Sequence, residues 1–100
     1  MILVKPDSVP PVLLHYTTDV DFLTKAVDEA LHSFGLHAFI TSGMEGTHTR
    51  QSKHYRGEAV DFRKVWTPAQ EAGFLERLSR QFGTAARYIM ETDHLHTETI

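Results

Sequence analysis

Apolar residues recur at the spacing of an amphipathic helix in two stretches of the chain, the first of which spans residues 19–34. Thr18 precedes this stretch as a candidate N-cap, with Asp21 three residues later, a weaker form of the capping box. Gly35 stands where a glycine commonly ends a helix. The predicted buried face consists of Val20, Leu23, Val27, Ala30, Leu31 and Phe34.

The second amphipathic stretch begins at Thr67, which is followed by Pro68 in the first helical position. Gln70 stands three residues after Thr67 and completes a capping box, and Gly83 marks the end of the helix. Its predicted apolar face consists of Ala72, Leu75, Leu78 and Phe82. The pattern therefore predicts two helices, each of which buries one face.

Short runs rich in β-branched and aromatic residues predict strands over residues 36–41 and 58–63. Two further strands are predicted over 86–91 and 94–99, with an irregularity at residues 92–93 between them. Three prolines exclude a helix from the first part of the chain, where we expect irregular structure. This order of elements predicts an α+β fold, in which helices pack on one face of a small, mainly antiparallel sheet.

The composition limits the classes of protein and of site. A chain of 100 residues forms one domain, which we take to span residues 1–100, and no apolar run is long enough for membrane insertion. The net charge of −3 and the lack of a basic run argue against binding to nucleic acid. The chain has no cysteine, so a metal site would need imidazole and carboxylate ligands.

Histidine is the unusual component, with seven residues. Three are scattered, and we interpret them as solvent-facing or locally bonded: His15, His32 and His37. The other four lie in motif-like contexts: His48, His54, His94 and His96. His48 belongs to the polar, glycine-containing segment 43–53, which we predict to be a loop that this histidine braces.

The spacing of the remaining histidines suits a metal site. His54 and Asp61 are seven residues apart, which places them on opposite faces of a straight strand, but a turn at Gly57 would let both point to one site. His94 and His96 have the spacing of side chains on one face of a strand. Two ligands close in sequence, a distant third and an open fourth position are typical of catalytic zinc. Spacing alone supports surface histidines equally well.

Two motifs add a resemblance to a known family. Ser52, His54, Gly57, Ala59 and Asp61 meet the pattern Ser-x-His-x-x-Gly-x-Ala-x-Asp, which resembles that of the D-Ala-D-Ala carboxypeptidase and L-alanyl-D-glutamate endopeptidase family of zinc peptidases. Residues 91–98 (Glu-Thr-Asp-His-Leu-His-Thr-Glu) resemble the second motif of that family, and the details are most similar to compact phage and prophage members. The resemblance implies the hedgehog/D-Ala-D-Ala peptidase-like fold.

The resemblance also implies the roles of the site residues. It makes His54, Asp61 and His96 the ligands of a Zn²⁺ ion, and Asp93, three residues before His96, the catalytic base. His94 would lie near the metal and stabilise the oxyanion or orient the water. A base at this position takes a proton from the zinc-held water and later delivers it to the leaving amine.

A second assignment of the ligand histidine stays open. His94 can be the ligand instead of His96, and Glu91 is then the acid three residues before it. In an unbroken strand Asp93 would face away from His96, so the preferred assignment requires a bend, a bulge or a strand start near Asp93.

Arg50 and Ser52 are the predicted substrate-binding residues. An arginine can hold a carboxylate of a stem peptide through two parallel hydrogen bonds, and the serine can bond a polar group of the substrate or the loop itself.

The expected function is that of a zinc metallopeptidase that hydrolyses an amide bond in a peptidoglycan stem peptide, as an endolysin or a virion-associated lysin does. The chain shows no signal peptide, so we expect cytoplasmic synthesis, with holin-type release or virion delivery to the cell wall. The alternatives are a non-catalytic, zinc-stabilised binding module and a structural phage protein of the same fold.

Overall fold

The computed structural model describes residues 2–5, 17–42 and 57–100. Two helices and five strands follow one another along this part of the chain: β1 (Ile2–Val4), α1 (Thr18–His32), β2 (Ala38–Ser42), β3 (Ala59–Arg63), α2 (Pro68–Phe82), β4 (Ala86–Met90) and β5 (His94–Thr99). The five strands form one sheet with the order β1-β2-β3-β5-β4. All neighbouring strands are antiparallel except β1 and β2, so the predicted α+β fold with a mainly antiparallel sheet is confirmed.

Helix α1 begins one residue earlier than predicted, and Thr17 is its N-cap instead of Thr18. The Thr17 hydroxyl accepts a hydrogen bond from the Val20 N–H at 3.0 Å and donates one to the Gly57 carbonyl at 2.6 Å. This second bond explains the difference, because it ties the start of α1 to the turn before β3, which lies far away in sequence. Gly57 has a φ of 67°, a conformation that a glycine adopts without strain.

Helix α2 has the ends that the sequence predicts. The Thr67 side chain accepts from the Gln70 N–H, and the Gln70 side chain accepts from the Thr67 N–H, so the capping box is complete. Pro68 occupies the first turn and Gly83 ends the helix, as predicted. Within the described residues, no helix has both the length and the apolar character that a bilayer span requires.

The core lies between the helices and one face of the sheet. Helix α1 buries the predicted side chains except Phe34, which is half-buried. In α2 the prediction was partly wrong: Ala72 is exposed, and Phe74 is fully buried in its place. Phe74 packs on Trp66, with 4.3 Å between the ring centroids, so the start of α2 is anchored by an aromatic pair that the periodicity alone did not indicate.

One further difference concerns an edge of the sheet, and one predicted irregularity is present. Strand β1 was not predicted, because its three residues are too short for a period and the prolines that follow favoured irregular structure. The predicted irregularity at residues 92–93 is confirmed as a tight turn between β4 and β5, in which the Glu91 N–H donates to the His94 carbonyl at 3.0 Å.

Strand β3 shows how the sheet separates its two faces. Val60 and Phe62 are fully buried under the helices, whereas Asp61 and Arg63 point to the opposite face because side chains alternate along a strand. The apolar face therefore determines which side chains meet on the open face.

The layering predicts different costs for two apolar truncations. We expect Phe62→Ala to lower the free energy of unfolding by about 3–5 kcal/mol, because it empties a fully buried site. Ile89→Ala, on the open face and 46% exposed, should cost less than about 0.5 kcal/mol. Urea denaturation measures both, and equal costs would show that the helices do not cover the face assigned to them.

Candidate functional site

Three of the predicted site residues meet on the open face of the sheet. Asp61 in β3 lies opposite His96 in β5, and His94 lies two residues earlier on β5. Cross-strand partners share a face, and so do residues at i and i+2, so the antiparallel register brings the carboxylate to both imidazoles. The sheet achieves this although Asp61 and His96 are far apart in sequence.

The Asp61 carboxylate lies between the two rings. Its Oδ1 is 2.8 Å from Nδ1 of His96, and its Oδ2 is 3.7 Å from Nε2 of His94. Asp61 is 8% exposed, so its charge is partly removed from water and depends on these partners.

Sequence reasoning missed a second carboxylate at this site, that of Glu98. Its Oε1 lies 2.7 Å from Nε2 of His96, and its Oε2 accepts from Nε and Nη2 of Arg87 at 2.8 and 2.6 Å. The strand alternation carried a signal for it, because Glu98 follows His96 by two residues and so shares its face. Arg87, on the neighbouring strand β4, is the cross-strand partner of Glu98.

The His96 ring is held by a carboxylate on each nitrogen. Since a carboxylate only accepts, both ring nitrogens must carry a hydrogen, so this geometry fits the protonated ring. The hydrogen bond to Asp61, helped by Glu98, accordingly raises the pKa of His96 against the effect of burial. Burial opposes ionisation of Glu98, but the hydrogen bonds from His96 and Arg87 outweigh it and lower the pKa of that carboxyl.

Asp93 lies in the turn immediately before β5, because the strand begins at His94. The strand start that the preferred assignment requires is therefore present. The Asp93 carboxylate is 87% exposed and bonds Nδ1 of His94 at 2.6 Å, and this hydrogen bond lowers the pKa of Asp93. Glu91, the acid of the alternative assignment, has its Oε1 3.8 Å from Nε2 of His94.

The remaining predicted site residues lie outside the described part of the chain: His48, Arg50, Ser52 and His54. Within the described part, no three histidine, aspartate or glutamate side chains converge on a common metal position. His54, the third ligand that the sequence motif assigns, lies outside the described ranges.

The donors that are described suit a zinc ion in type and spacing. Two ligands bound tetrahedrally at zinc distances are about 3.4 Å apart. Asp61 and His96, now 2.8 Å apart, would have to separate by a few tenths of an ångström, while Asp61 and His94 at 3.7 Å are already close to that spacing. Both ligand assignments from the sequence are thus compatible with the fold.

Comparisons with known proteins add no family to this description: no family model, no curated protein and no solved structure matches the chain. The function must therefore be argued from the chemistry of the site and from the two sequence motifs.

The two carboxylates that bond the His96 ring, those of Asp61 and Glu98, predict a pH dependence of stability in the metal-free protein. Because its pKa is raised when folded, the protonated ring stabilises the fold fully below its ordinary value of 6.5, and this contribution is lost as the pH rises through the raised value. With a chelator present, we expect the free energy of unfolding, measured in urea, to fall above about pH 6.5. His96→Gln should remove this decline and the exposed His32→Gln should keep it. If His96→Gln shows the same decline, protonation of His96 is not the cause of the pH dependence.

The bonds of Glu98 predict a stability cost of a different kind. Glu98→Ala should destabilise the metal-free protein by about 1–3 kcal/mol, because it removes the carboxylate that accepts from the partly buried Nε2 of His96. Glu76→Ala is the matched control, since Glu76 pairs with Arg80 on the surface of α2, where such pairs contribute about 0.3–0.5 kcal/mol. Thermal or urea unfolding compares them, and equal losses would mean that Glu98 is only a surface charge.

Proposed function

We propose that the chain is a zinc-dependent peptidase that hydrolyses an amide bond in a peptidoglycan stem peptide. The observation that carries the proposal is the Asp61 carboxylate on the open sheet face, with the imidazoles of His94 and His96 against its two oxygens. The two sequence motifs, which contain these residues, support the choice of a peptidase over another metal-dependent hydrolase.

Asp61 and His96 would hold the metal together with His54. The open fourth position of such a site is the one that catalytic zinc keeps for water or substrate. When bound there, zinc would polarise the scissile carbonyl and lower the pKa of a water molecule. The partial burial of Asp61 suits this role, because a metal ion replaces the charge that the protonated His96 now supplies.

Asp93 serves as the base in this proposal. Its carboxylate is ionised near neutral pH as that of any exposed aspartate is, the hydrogen bond with His94 lowers its pKa further, and its exposure leaves the second oxygen accessible to water and substrate. It would accept the proton of the attacking water and later donate it to the leaving amine. The hydrogen bond to His94 fixes the orientation of the carboxylate at the start of β5.

His94 links the base to the ligands. Its Nδ1 donates to Asp93, and its Nε2 faces Asp61. In the protonated ring, Nε2–H can donate to the oxyanion that forms on the substrate. In the neutral ring, Nε2 of His94 carries a lone pair that faces Asp61 and could bind a metal ion beside it. This geometry favours the second assignment, in which His94 is the zinc ligand and Glu91 is the base.

Substrate binding would involve Arg50, whose guanidinium can hold a carboxylate of the stem peptide, and Ser52 of the first motif. Such a peptidase acts on the bacterial cell wall, which fits an endolysin or a virion-associated lysin released by a holin or carried by the virion.

A zinc-stabilised binding module or a structural phage protein would need the metal ligands but no ionised acid beside an open metal position. Asp93 therefore distinguishes the classes.

The proposal predicts one zinc ion per chain by metal analysis and the release of new amino groups from purified peptidoglycan. Asp93→Asn should keep the zinc and lower the rate about 10²–10⁴-fold, because it removes the proton acceptor. Glu76→Gln, an exposed carboxylate on α2, should change neither measurement. Full activity of Asp93→Asn together with an inactive Glu91→Gln would establish the second assignment instead.

Two outcomes would overturn the proposal itself. If the wild-type chain binds zinc but releases no amino groups, it is a binding module and not an enzyme. If zinc binding persists in both Asp61→Asn and His54→Gln, the metal is held elsewhere.

A further inference from the structure

A cleft of about 370 Å³ opens beside the candidate metal site. Asp61, His94 and Asp93 line it on one side, and Lys5 and Arg63 line it as well. Neither cation has a role in the proposed reaction. Their presence in the same cleft as the reacting groups raises the question of what they bind.

Strand β3 and a neighbouring aromatic ring hold Arg63 in place. It ends β3, lies opposite His94 in the antiparallel register, and is exposed. Its guanidinium carbon lies 4.2 Å from the centroid of the Phe39 ring on β2, so the ring fixes the plane of the cation. Within the described ranges Arg63 forms no ion pair, and it lines the cleft beside Asp61 and His94.

Lys5 lines the cleft from the end of β1, which is an edge strand of the sheet. Its backbone N–H donates to the Ile40 carbonyl at 2.9 Å, which extends the parallel pairing of β1 and β2 by one residue and fixes where the side chain starts. Thr41 and Ser42, which carry hydroxyl groups, also line the cleft. Cations and hydroxyls together suit an anionic group.

The charges predict when an anion would bind. Among the residues that line the cleft, the two positive charges of Lys5 and Arg63 equal the two negative charges of Asp61 and Asp93. A divalent ion at Asp61 would replace the single charge of the protonated His96 ring, which leaves one additional positive charge and makes the cleft more attractive to an anion. Anion binding and zinc binding should therefore strengthen each other.

We propose that Lys5 and Arg63 form a subsite for a carboxylate of the substrate, next to the scissile amide. This inference rests on the proposed function for the zinc ion, and it is separate from the role expected of Arg50. A planar carboxylate fits the guanidinium fork through two parallel hydrogen bonds, with Lys5 as a second point charge. The substrate class is thus a peptide with a free carboxylate beside the cleaved bond, in preference to its amidated counterpart.

The first test needs no activity. Glutarate is titrated into the zinc-loaded full chain and into the chain with a chelator, while the arginine Nε–H signals are followed by NMR. We expect saturable shifts of the Arg63 signal, tighter with zinc, and about tenfold weaker binding in Arg63→Gln, with a smaller loss in Lys5→Gln.

Matched controls separate the subsite from general charge effects. Arg77→Gln removes an arginine that also lies over a phenylalanine ring, that of Phe34, and Lys25→Gln removes an exposed lysine of α1. Both should bind glutarate like the wild type. If Arg63→Gln binds glutarate as tightly as Arg77→Gln does, the anion sits on the zinc alone or elsewhere, and the subsite is wrong.

The second test is kinetic. A stem-peptide substrate with a free carboxylate beside the scissile bond should have a lower KM than its amide, and Arg63→Gln should raise the KM for the acidic substrate about tenfold, removing this preference. Equal KM values for the two substrates in an active, zinc-loaded wild type would overturn the subsite and leave the peptidase proposal standing. A wild type without zinc or activity would overturn the peptidase proposal, while the glutarate titration would still decide whether the two cations bind an anion.

Discussion

The candidate site depends on one partly buried carboxylate, that of Asp61, which the sheet register places against two imidazoles. Val60 and Phe62 fix the strand by burying their side chains under the helices, so Asp61 has no alternative to the open face. A one-residue slip of β3 would bury the carboxylate in the core and lose every polar contact at once. The hydrophobic core therefore sets the geometry of the polar site.

The polar contacts extend this arrangement across three strands. Arg87 on β4 holds Glu98 on β5, Glu98 holds one nitrogen of His96, and Asp61 on β3 holds the other. Each group is placed by a cross-strand partner or by alternation along β5. Such a network restrains ring orientation more strongly than a single hydrogen bond could.

Local signals in the sequence were sufficient for the fold class and for part of the site. The Thr67 capping box and Gly83 locate the two ends of α2, and the two-residue spacing of His94 and His96 locates their shared face. Thr17 was missed because its partner, the Gly57 carbonyl, is remote in sequence, and Arg87 was missed because only the strand pairing reveals it. Whether His94 or His96 is the zinc ligand depends on small differences in their distances from Asp61, 3.7 and 2.8 Å, which the spacing of residues in the sequence does not specify.

The most direct test of the proposed zinc site is X-ray diffraction from a crystal grown with zinc, recorded at wavelengths on both sides of the zinc absorption edge. We expect one strong anomalous peak within about 2.2 Å of an Asp61 carboxylate oxygen and a ring nitrogen of His96. A peak against Nε2 of His94 that leaves His96 free would contradict the ligand assignment. A peak away from Asp61, or no peak in a crystal soaked with excess zinc, would contradict the proposed zinc site under either ligand assignment.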